Sequence, residues 1–325
     1  MSTGHPDTRW LIADIGGTNA RFALVSTNDP TPRQEQVLAA RDYPDFVAAA
    51  EAYLAGISEP RPTAGYCAIA NPINGDTVRM TNHDWAFSIE VSRQRLGLER
   101  LEFINDFAAQ ALAMPWLAPD EFDRIGGGEP DKMGPLAVLG PGTGLGVSAA
   151  VPSGKDWIPL DSEGGHVTYS PVTRREHDLA RTLQARYGHC SAERIVSGPG
   201  LVATYEALCR LDGVGADALT PPEVTERATN TDDPRCAEAL ELFNLALATT
   251  ASNLAITLRA SGGIYLAGGL LPKLGALFDA ELFRSRFTAK GRFSDYLGSL
   301  PVYLVHTHDH PALRGLAHNL PRNAS

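Results

Sequence analysis

The chain has 325 residues, of which 43% are hydrophobic and 20% are charged. At roughly 150 residues per domain, this length predicts about two domains with ordinary globular cores. The 28 Lys and Arg residues against 38 Asp and Glu residues leave a formal net charge of −10. Because this charge opposes attraction to phosphate backbones and to anionic membranes, we expect no nucleic acid and no membrane as a partner.

The cysteines and the uncharged stretches both indicate a cytoplasmic location. Four widely separated cysteines form no CxxC pair, which favours reduced thiols over a disulfide framework or a zinc ribbon: Cys67, Cys190, Cys209 and Cys236. The first eight residues lack the basic start and apolar middle of a signal peptide. The long uncharged stretches 135–153 and 242–258 contain glycine and proline or polar residues, so we expect buried elements there and not membrane spans.

In the first third of the chain, short apolar runs alternate with segments of helical spacing. The runs at 10–14 and 21–25 flank a glycine-rich turn and predict a β-hairpin. Further strands are predicted near 34–40, 65–70 and 101–104. Helices are predicted from about Pro44 until Gly56 stops the pattern, from a cap at Ser88 to Leu96, and from Phe107 to near Pro115.

The stretch 135–150 repeats the opening pattern, with an apolar strand, a glycine-rich tip and a second strand that returns from it. This repeat predicts an internally duplicated fold. Helices are predicted over most of 174–260, followed by a strand at 263–267, a tight turn, a helix starting at Pro272, a strand at 301–305 and a final helix at 311–318.

The first glycine-rich tip is a candidate phosphate site. Asp14 ends the predicted strand, and Gly16, Gly17 and Thr18 follow it. Glycines let backbone N–H groups approach an anion, and the carboxylate could hold a metal ion. Taken alone, the motif is also compatible with an ordinary Gly-Gly hairpin.

The second tip contains Gly142, Thr143 and Gly144, and it carries no acid, so it would treat phosphate and metal differently from the first. Gly268 and Gly269 form a third place where a ligand could touch bare backbone. The chain has no GxxxxGK[ST] motif, and the second tip is not GxGxxG, so P-loop and dinucleotide-binding folds are disfavoured.

Asn105 and Asp106 follow a predicted strand and precede a predicted helix, a position where open α/β sheets place their ligands. Asp106 has two interpretations. It could be a helix N-cap, or it could accept the proton of a substrate hydroxyl that attacks phosphorus.

Two further residues are candidates for binding hydroxyl groups. Glu163 and His166 flank two glycines and supply hydrogen-bond acceptors and a donor, although a simple turn with a satisfied histidine is the alternative. Glu193 lies at a predicted helix start, where it could merely complement the helix dipole. The tract from His306 to His310 is interpreted as solvated or capping residues and not as a metal site.

Taken together, the motifs of this chain resemble the bacterial ATP-dependent glucokinase family, in order, from residue 11 to about Leu316. The segments that carry the resemblance are LIADIGGTNAR at 11–21, MTNHDW at 80–85, INDF at 104–107, GTGLG at 142–146, EGGH at 163–166, SAER at 191–194, SGPG at 197–200 and AGG at 267–269.

The resemblance implies the actin-like, ribonuclease-H-like ATPase fold, in which two α/β domains flank a cleft. It also implies a small domain at 1–115, completed by 306–325, and a large domain at 116–305. A homodimer is what the family suggests. The chain lacks the cysteine-rich zinc motif of the related group of repressors, open reading frames and kinases, which disfavours a sugar-responsive repressor.

The resemblance further implies a role for each candidate residue, with glucose, ATP and Mg²⁺ as ligands. Asp106 would be the general base for the 6-hydroxyl of glucose and Asp14 would hold Mg²⁺, directly or through water. The residues implied to bind the sugar are Asn105, Asp106, Glu163, His166 and Glu193. Those implied to bind the nucleotide are Ala13, Asp14, Ile15, Gly16, Gly17, Thr18, Gly142, Thr143, Gly144, Gly268 and Gly269.

Two alternatives remain at this point. A kinase for another hexose would differ in only one or two hydroxyl contacts. A sugar-independent actin-like ATPase would share the fold and the nucleotide turns, but it would not need the five sugar-binding residues.

Overall fold

The computed structural model describes residues 7–81, 83–230, 233–307 and 311–321. The chain divides into two compact units. The first unit comprises residues up to Ala118, Ser153–Asp161 and residues from Thr307 onward; the second comprises Pro119–Pro152 and Ser162–His306.

The predicted strands and helices are present, and the structure adds elements that were not predicted. The strands are β1 (Arg9–Ile15), β2 (Asn19–Ser26), β3 (Asp29–Ala39), β4 (Ala64–Ile69), β5 (Thr77–Arg79), β6 (Ala86–Ser88), β7 (Arg100–Asn105), β8 (Phe122–Gly126), β9 (Leu136–Pro141), β10 (Leu145–Ser153), β11 (Asp156–Leu160), β12 (Gly263–Leu266) and β13 (Val302–Val305). The helices are α1 (Phe46–Gly56), α2 (Ile89–Leu96), α3 (Asp106–Ala113), α4 (Arg174–Tyr187), α5 (Gly198–Leu211), α6 (Pro221–Asn230), α7 (Pro234–Leu258), α8 (Leu271–Leu274), α9 (Ala280–Thr288), α10 (Ser294–Ser299) and α11 (Pro311–His318). The elements that were not predicted include β5, β6, β8, β11, α9 and α10.

The first unit contains a five-stranded sheet in the order β3-β2-β1-β4-β7. The predicted hairpin is confirmed, because β1 and β2 pair antiparallel. Strands β1, β4 and β7 are parallel, and their register aligns Ile15 with Ile69 and Ile69 with Asn105. The carboxyl ends of three strands therefore meet at one edge of this sheet.

The second unit repeats this arrangement. Its strands β10-β9-β12-β13 follow one another with β9 and β10 antiparallel and β9, β12 and β13 parallel. Strand β8 adds to β13 in the antiparallel sense. The order and directions match those of β2-β1-β4-β7, which confirms the predicted internal duplication.

Helix α7 forms the centre of the second unit. By length and composition it could cross a membrane, but 72% of its most apolar window is buried inside the fold. Its buried face packs with residues from α4, α5 and α9 in the largest hydrophobic cluster. Helix α7 is therefore a core helix, as the polar residues within 242–258 predicted. All four cysteines are free and buried, in agreement with the reduced thiols expected.

A buried ion pair joins helices α4 and α9. The side chain of Glu176 is fully buried, and Arg286 donates to both of its carboxylate oxygens, at 2.7 and 3.1 Å. The hydroxyl of Tyr169 and the amide of Val172 each donate to Oε2 at 2.8 Å. Burial raises the pKa of Glu176, but the hydrogen bonds from Arg286, Val172 and Tyr169 outweigh it and lower the pKa overall.

Helix α11 packs closely against helix α3 in the first unit. A Cβ atom on Gly315 would clash with the backbone carbonyl oxygen of Ala109. Ala312, Leu313 and Leu316 of the same helix are buried in a cluster with residues of β1 and β4. Glycine at position 315 therefore sets the distance between α11 and α3, and α3 carries Asp106 at its first position.

We predict that Gly315→Val lowers the free energy of unfolding by about 1–3 kcal/mol, because overpacking forces α11 away from α3. Gly298→Ala is the control, since Gly298 is also helical but has no atom near its missing Cβ. Urea unfolding of both variants measures the difference. Equal stability of the two variants would contradict this packing.

We also predict that Glu176→Gln costs about 3–5 kcal/mol at neutral pH, because it leaves the Arg286 charge buried without its partner. The folded-state pKa of Glu176 lies below the ordinary value of 4.5. Its stabilisation is therefore complete above pH 4.5 and is lost as the pH falls through the folded-state pKa. Unfolding curves from pH 7 downward should show the two proteins converging in stability below pH 4.5.

The control for this series is Glu241→Gln, which removes an exposed carboxylate from α7. The difference in stability between Glu241→Gln and the wild type should not disappear as the pH falls below 4.5. A difference between wild type and Glu176→Gln that stays constant as the pH falls would show that the charge of Glu176 is not the source.

Candidate active site

The first glycine-rich tip connects β1 to β2 at the edge where the parallel strands end. The amide of Gly16 donates to the carbonyl of Asn19 at 2.9 Å, and Thr18 is exposed at the turn. Ala13 and Ile15 are fully buried, which holds the end of β1 in place. The turn thus presents backbone and a hydroxyl to the surface of the first unit.

Asp14 faces Arg21 across the hairpin, as the strand register requires. The Asp14 Oδ2 atom lies 3.5 Å from Arg21 Nη1, and the two side chains are 19% and 23% exposed. The cross-strand arginine therefore holds this carboxylate at the strand end.

The structure corrects one interpretation of the Asn105–Asp106 pair. The N-cap of α3 is Asn105, whose Oδ1 accepts from the amides of Phe107 at 2.8 Å and Ala108 at 3.3 Å. Asp106 is the first residue of the helix, and its Oδ1 also accepts from the Phe107 amide, at 2.9 Å. The half-buried Asp106 carboxylate is thus held at a helix N-terminus, which favours negative charge there.

Asn71 is a residue at this edge that the sequence analysis treated only as part of a turn. It follows β4 and is buried, and its Oδ1 accepts from the amide and the hydroxyl of Thr81, at 3.1 and 2.8 Å. Its Nδ2 donates to Pro72 O at 2.8 Å. Asn71 therefore orders the loop beside Asn105. The sequence feature that could have identified Asn71 is its position just after a buried strand.

In the second unit, the loop Gly142–Gly144 joins β9 to β10. Gly268 follows β12 with φ +87°, and a Cβ atom on it would lie 2.8 Å from the carbonyl oxygen of Pro141. Gly269 has no atom within 4 Å of its missing Cβ. Gly268 is therefore required by the packing of the two turns, whereas Gly269 leaves open space for a ligand.

Glu163, His166 and Glu193 lie together in the second unit. Nδ1 of His166 is 3.9 Å from Oε1 of Glu193, and its Nε2 is 3.9 Å from Oε2 of Glu163. Glu163 and His166 are 59% and 60% exposed, and Glu193 is 25% exposed. This arrangement offers two carboxylates and an imidazole to one small polar ligand.

Two glycines place this group against β10. The residues Gly164–His166 form a 3-10 helix, and a Cβ atom on Gly165 would clash with the carbonyl oxygen of Leu145. A Cβ on Gly164 would lie 2.8 Å from Val147 Cγ1. The glycines of this motif therefore allow close approach to the strand.

Among the described residues, no group of three or more His, Cys, Asp or Glu side chains could hold a metal ion. His306 Nε2 lies 3.5 Å from Asp123 Oδ2 and interacts with that carboxylate. His308, Asp309 and His310 lie outside the described residues. The chemistry of Asp14 nevertheless fits Mg²⁺, which usually binds one or two carboxylates together with water and substrate phosphates.

A duplicated sheet with glycine turns at the ends of both hairpins is the architecture of the actin-like ATPase fold, which sugar kinases share. Comparison with known proteins specifies it further: the glucokinase family model matches residues 11–323. The chain belongs to the glucokinase family.

Proteins named as glucokinases match this chain over almost its whole length. A glucokinase of Chromobacterium violaceum is 48% identical over 98% of this chain and 92% of its own. The crystal structure of a glucokinase from an Antarctic psychrotroph is 34% identical with a TM-score of 0.86, covering 95% of this chain and 98% of its own. A Balamuthia mandrillaris glucokinase solved with glucose shares the fold, with a TM-score of 0.77, 23% identity and 98% and 94% coverage.

We predict that Gly165→Ala weakens glucose binding about tenfold or more, because the added methyl pushes the Gly164–His166 helix away from β10 and misplaces Glu163 and His166. Isothermal titration calorimetry with glucose measures the change. Gly56→Ala is the control, since nothing lies within 4 Å of its missing Cβ. Unchanged glucose affinity in folded Gly165→Ala would refute the role of this close contact.

Proposed function

We propose that this chain transfers the γ-phosphoryl group of ATP to the 6-hydroxyl of glucose, with Asp106 as the general base. The observation that carries the proposal is the position of Asp106. Its carboxylate is held at the N-terminus of α3, at the same sheet edge as the Gly16–Thr18 turn. In this proposal the two compact units are the two domains of the actin-like fold.

In the proposed reaction, Asp106 accepts the proton of the 6-hydroxyl as that oxygen attacks the γ-phosphorus. The bond between the γ-phosphorus and its bridging oxygen breaks, and ADP leaves with the electron pair. The Asn105 cap supports the position of Asp106 and contributes a polar group to the sugar site. Glu163, His166 and Glu193 accept and donate hydrogen bonds to the other hydroxyls.

The nucleotide would be held mainly by backbone groups. The turns Gly16–Thr18 and Gly142–Gly144 would face the phosphates, and Gly269 would lie near the adenosine, where its open side leaves room. Asp14 would hold Mg²⁺, which neutralises phosphate charge in the transition state when bound. The Asp14–Arg21 contact keeps that carboxylate at the end of β1.

Cellular context and assembly form a second part of the proposal. The net charge of −10 and four free, buried cysteines suit a reducing cytoplasm. A homodimer is proposed from the family resemblance alone, and light scattering coupled to size-exclusion chromatography tests it.

We predict that Asp106→Asn lowers kcat by about 10²–10⁴-fold while leaving most of the glucose affinity, because the amide cannot accept the proton. ADP release is measured with ATP and Mg²⁺ across a panel of hexoses, including a blank without sugar. Asp120→Asn is the control, because it removes an exposed carboxylate outside the proposed site.

Three other results of this assay would contradict parts of the proposal. Near-normal turnover in Asp106→Asn would remove Asp106 from the mechanism. Stimulation by another hexose and not by glucose would indicate a different sugar kinase, and ADP release in the blank at the full rate would indicate an actin-like ATPase.

A further inference from the structure

The carboxylate of Glu193 holds the loop that is proposed to face phosphate. Its Oε2 accepts a hydrogen bond from the amide of Leu145 at 2.9 Å, and Leu145 is the first residue after Gly144. The loop is also fixed at its other end, because Gly198 N donates to Gly142 O at 2.9 Å. Glu193 and Gly198 therefore restrain the two ends of this loop.

The glycine at position 144 is explained by Glu193. A Cβ atom on Gly144 would lie 2.5 Å from Oε2 and 3.4 Å from Cδ of Glu193. No atom lies within 4 Å of the corresponding position on Gly142, and neither glycine has a positive φ. Of these two glycines, only Gly144 would bring a Cβ against the carboxylate, and the Glu193 side chain would then have to move.

The second oxygen of the same carboxylate faces the proposed sugar-binding residues. Oε1 of Glu193 lies 3.9 Å from Nδ1 of His166. The backbone of Glu193 is fixed independently, since its carbonyl accepts from Ser197 Oγ at 2.8 Å, and Arg194 stacks 4.1 Å over the ring of Tyr187. The two carboxylate oxygens therefore reach two different places from a backbone position that is fixed.

We infer that Glu193 couples sugar binding to nucleotide binding: one oxygen orients the phosphate-facing loop while the other accepts a hydroxyl of the sugar. This inference rests on the proposed function. A sugar hydroxyl on Oε1 orients the carboxylate and therefore steadies the Leu145 amide at the end of the loop. By thermodynamic linkage, nucleotide on the loop must favour the sugar by the same factor.

The key variant is Gly144→Ala, which changes no proposed sugar contact directly. Its methyl group displaces Oε2, so the dissociation constant for glucose without nucleotide is expected to rise about tenfold. Gly142→Ala adds the same methyl group two residues away in the same loop. We expect it to affect at most nucleotide binding and to leave glucose binding without nucleotide unchanged.

The second variant is Glu193→Gln, whose carboxamide has only one acceptor oxygen. Its single oxygen can take the position of Oε2 or that of Oε1, so the carboxamide accepts at only one of the two places and presents an N–H donor at the other. Titration calorimetry with glucose, with AMPPNP and Mg²⁺, and with each in the presence of the other yields the coupling factor. We expect a factor of about 5–150 in the wild type and a value near 1 in Glu193→Gln and Gly144→Ala.

The results separate this inference from the proposed function. If the wild type neither binds nor phosphorylates glucose, the proposed function fails. If the wild type does both, but folded Gly144→Ala binds glucose normally and keeps the wild-type coupling factor, the role of Glu193 as a coupling residue fails. A loss of glucose affinity in Gly142→Ala equal to that in Gly144→Ala would also overturn it.

Discussion

The second unit is organised around the backbone of one residue, Leu145. Its amide donates to Glu193, and its carbonyl oxygen lies so close to Gly165 that a side chain there is impossible. The peptide groups at the start of β10 therefore contact both the Glu193 carboxylate and the Glu163–His166 turn. The amide and carbonyl of Leu145 are backbone groups that the sheet already holds, so the groups that contact them meet a fixed partner.

The first unit has the same order of strands as the second, but different side chains lie at the ends of its strands. Strands β1, β4 and β7 end in register, so the Gly16–Thr18 turn, the Asn71 loop and Asp106 lie at one edge. Here the acid at the hairpin is Asp14, held by Arg21 across the strands, whereas the hairpin tip of the second unit has no acid of its own and receives Glu193 from another segment. The two sheets therefore share one fold, but the side chains at the ends of their strands differ in chemistry.

The sequence predicted much of this arrangement, because hairpins, strand ends and glycine tips have local signatures. It predicted most of the elements and the duplication, but it missed short strands such as β5, β6, β8 and β11 and could not assign reasons to individual glycines. Gly165 and Gly268 must lack a side chain because backbone from another part of the chain approaches them, and a Cβ on Gly144 would displace the Glu193 carboxylate. The cap of α3 was ambiguous for a related reason, since Asn105 and Asp106 are both good capping residues and only geometry selects Asn105.

This chain has a net charge of −10, which opposes an anionic nucleotide. Under the proposed function, positive potential must therefore lie close to the phosphates. Neither the Gly16–Thr18 turn nor the Gly142–Gly144 turn contains a lysine or an arginine. Backbone N–H groups in tight turns can meet phosphate oxygens without adding a mobile charged side chain. Such donors are effective only if the loop keeps its shape, and in the second unit the Leu145–Glu193 and Gly142–Gly198 hydrogen bonds supply that restraint. The Glu193 carboxylate, which would repel phosphate at close range, thus accepts a hydrogen bond from the Leu145 amide and orders the loop.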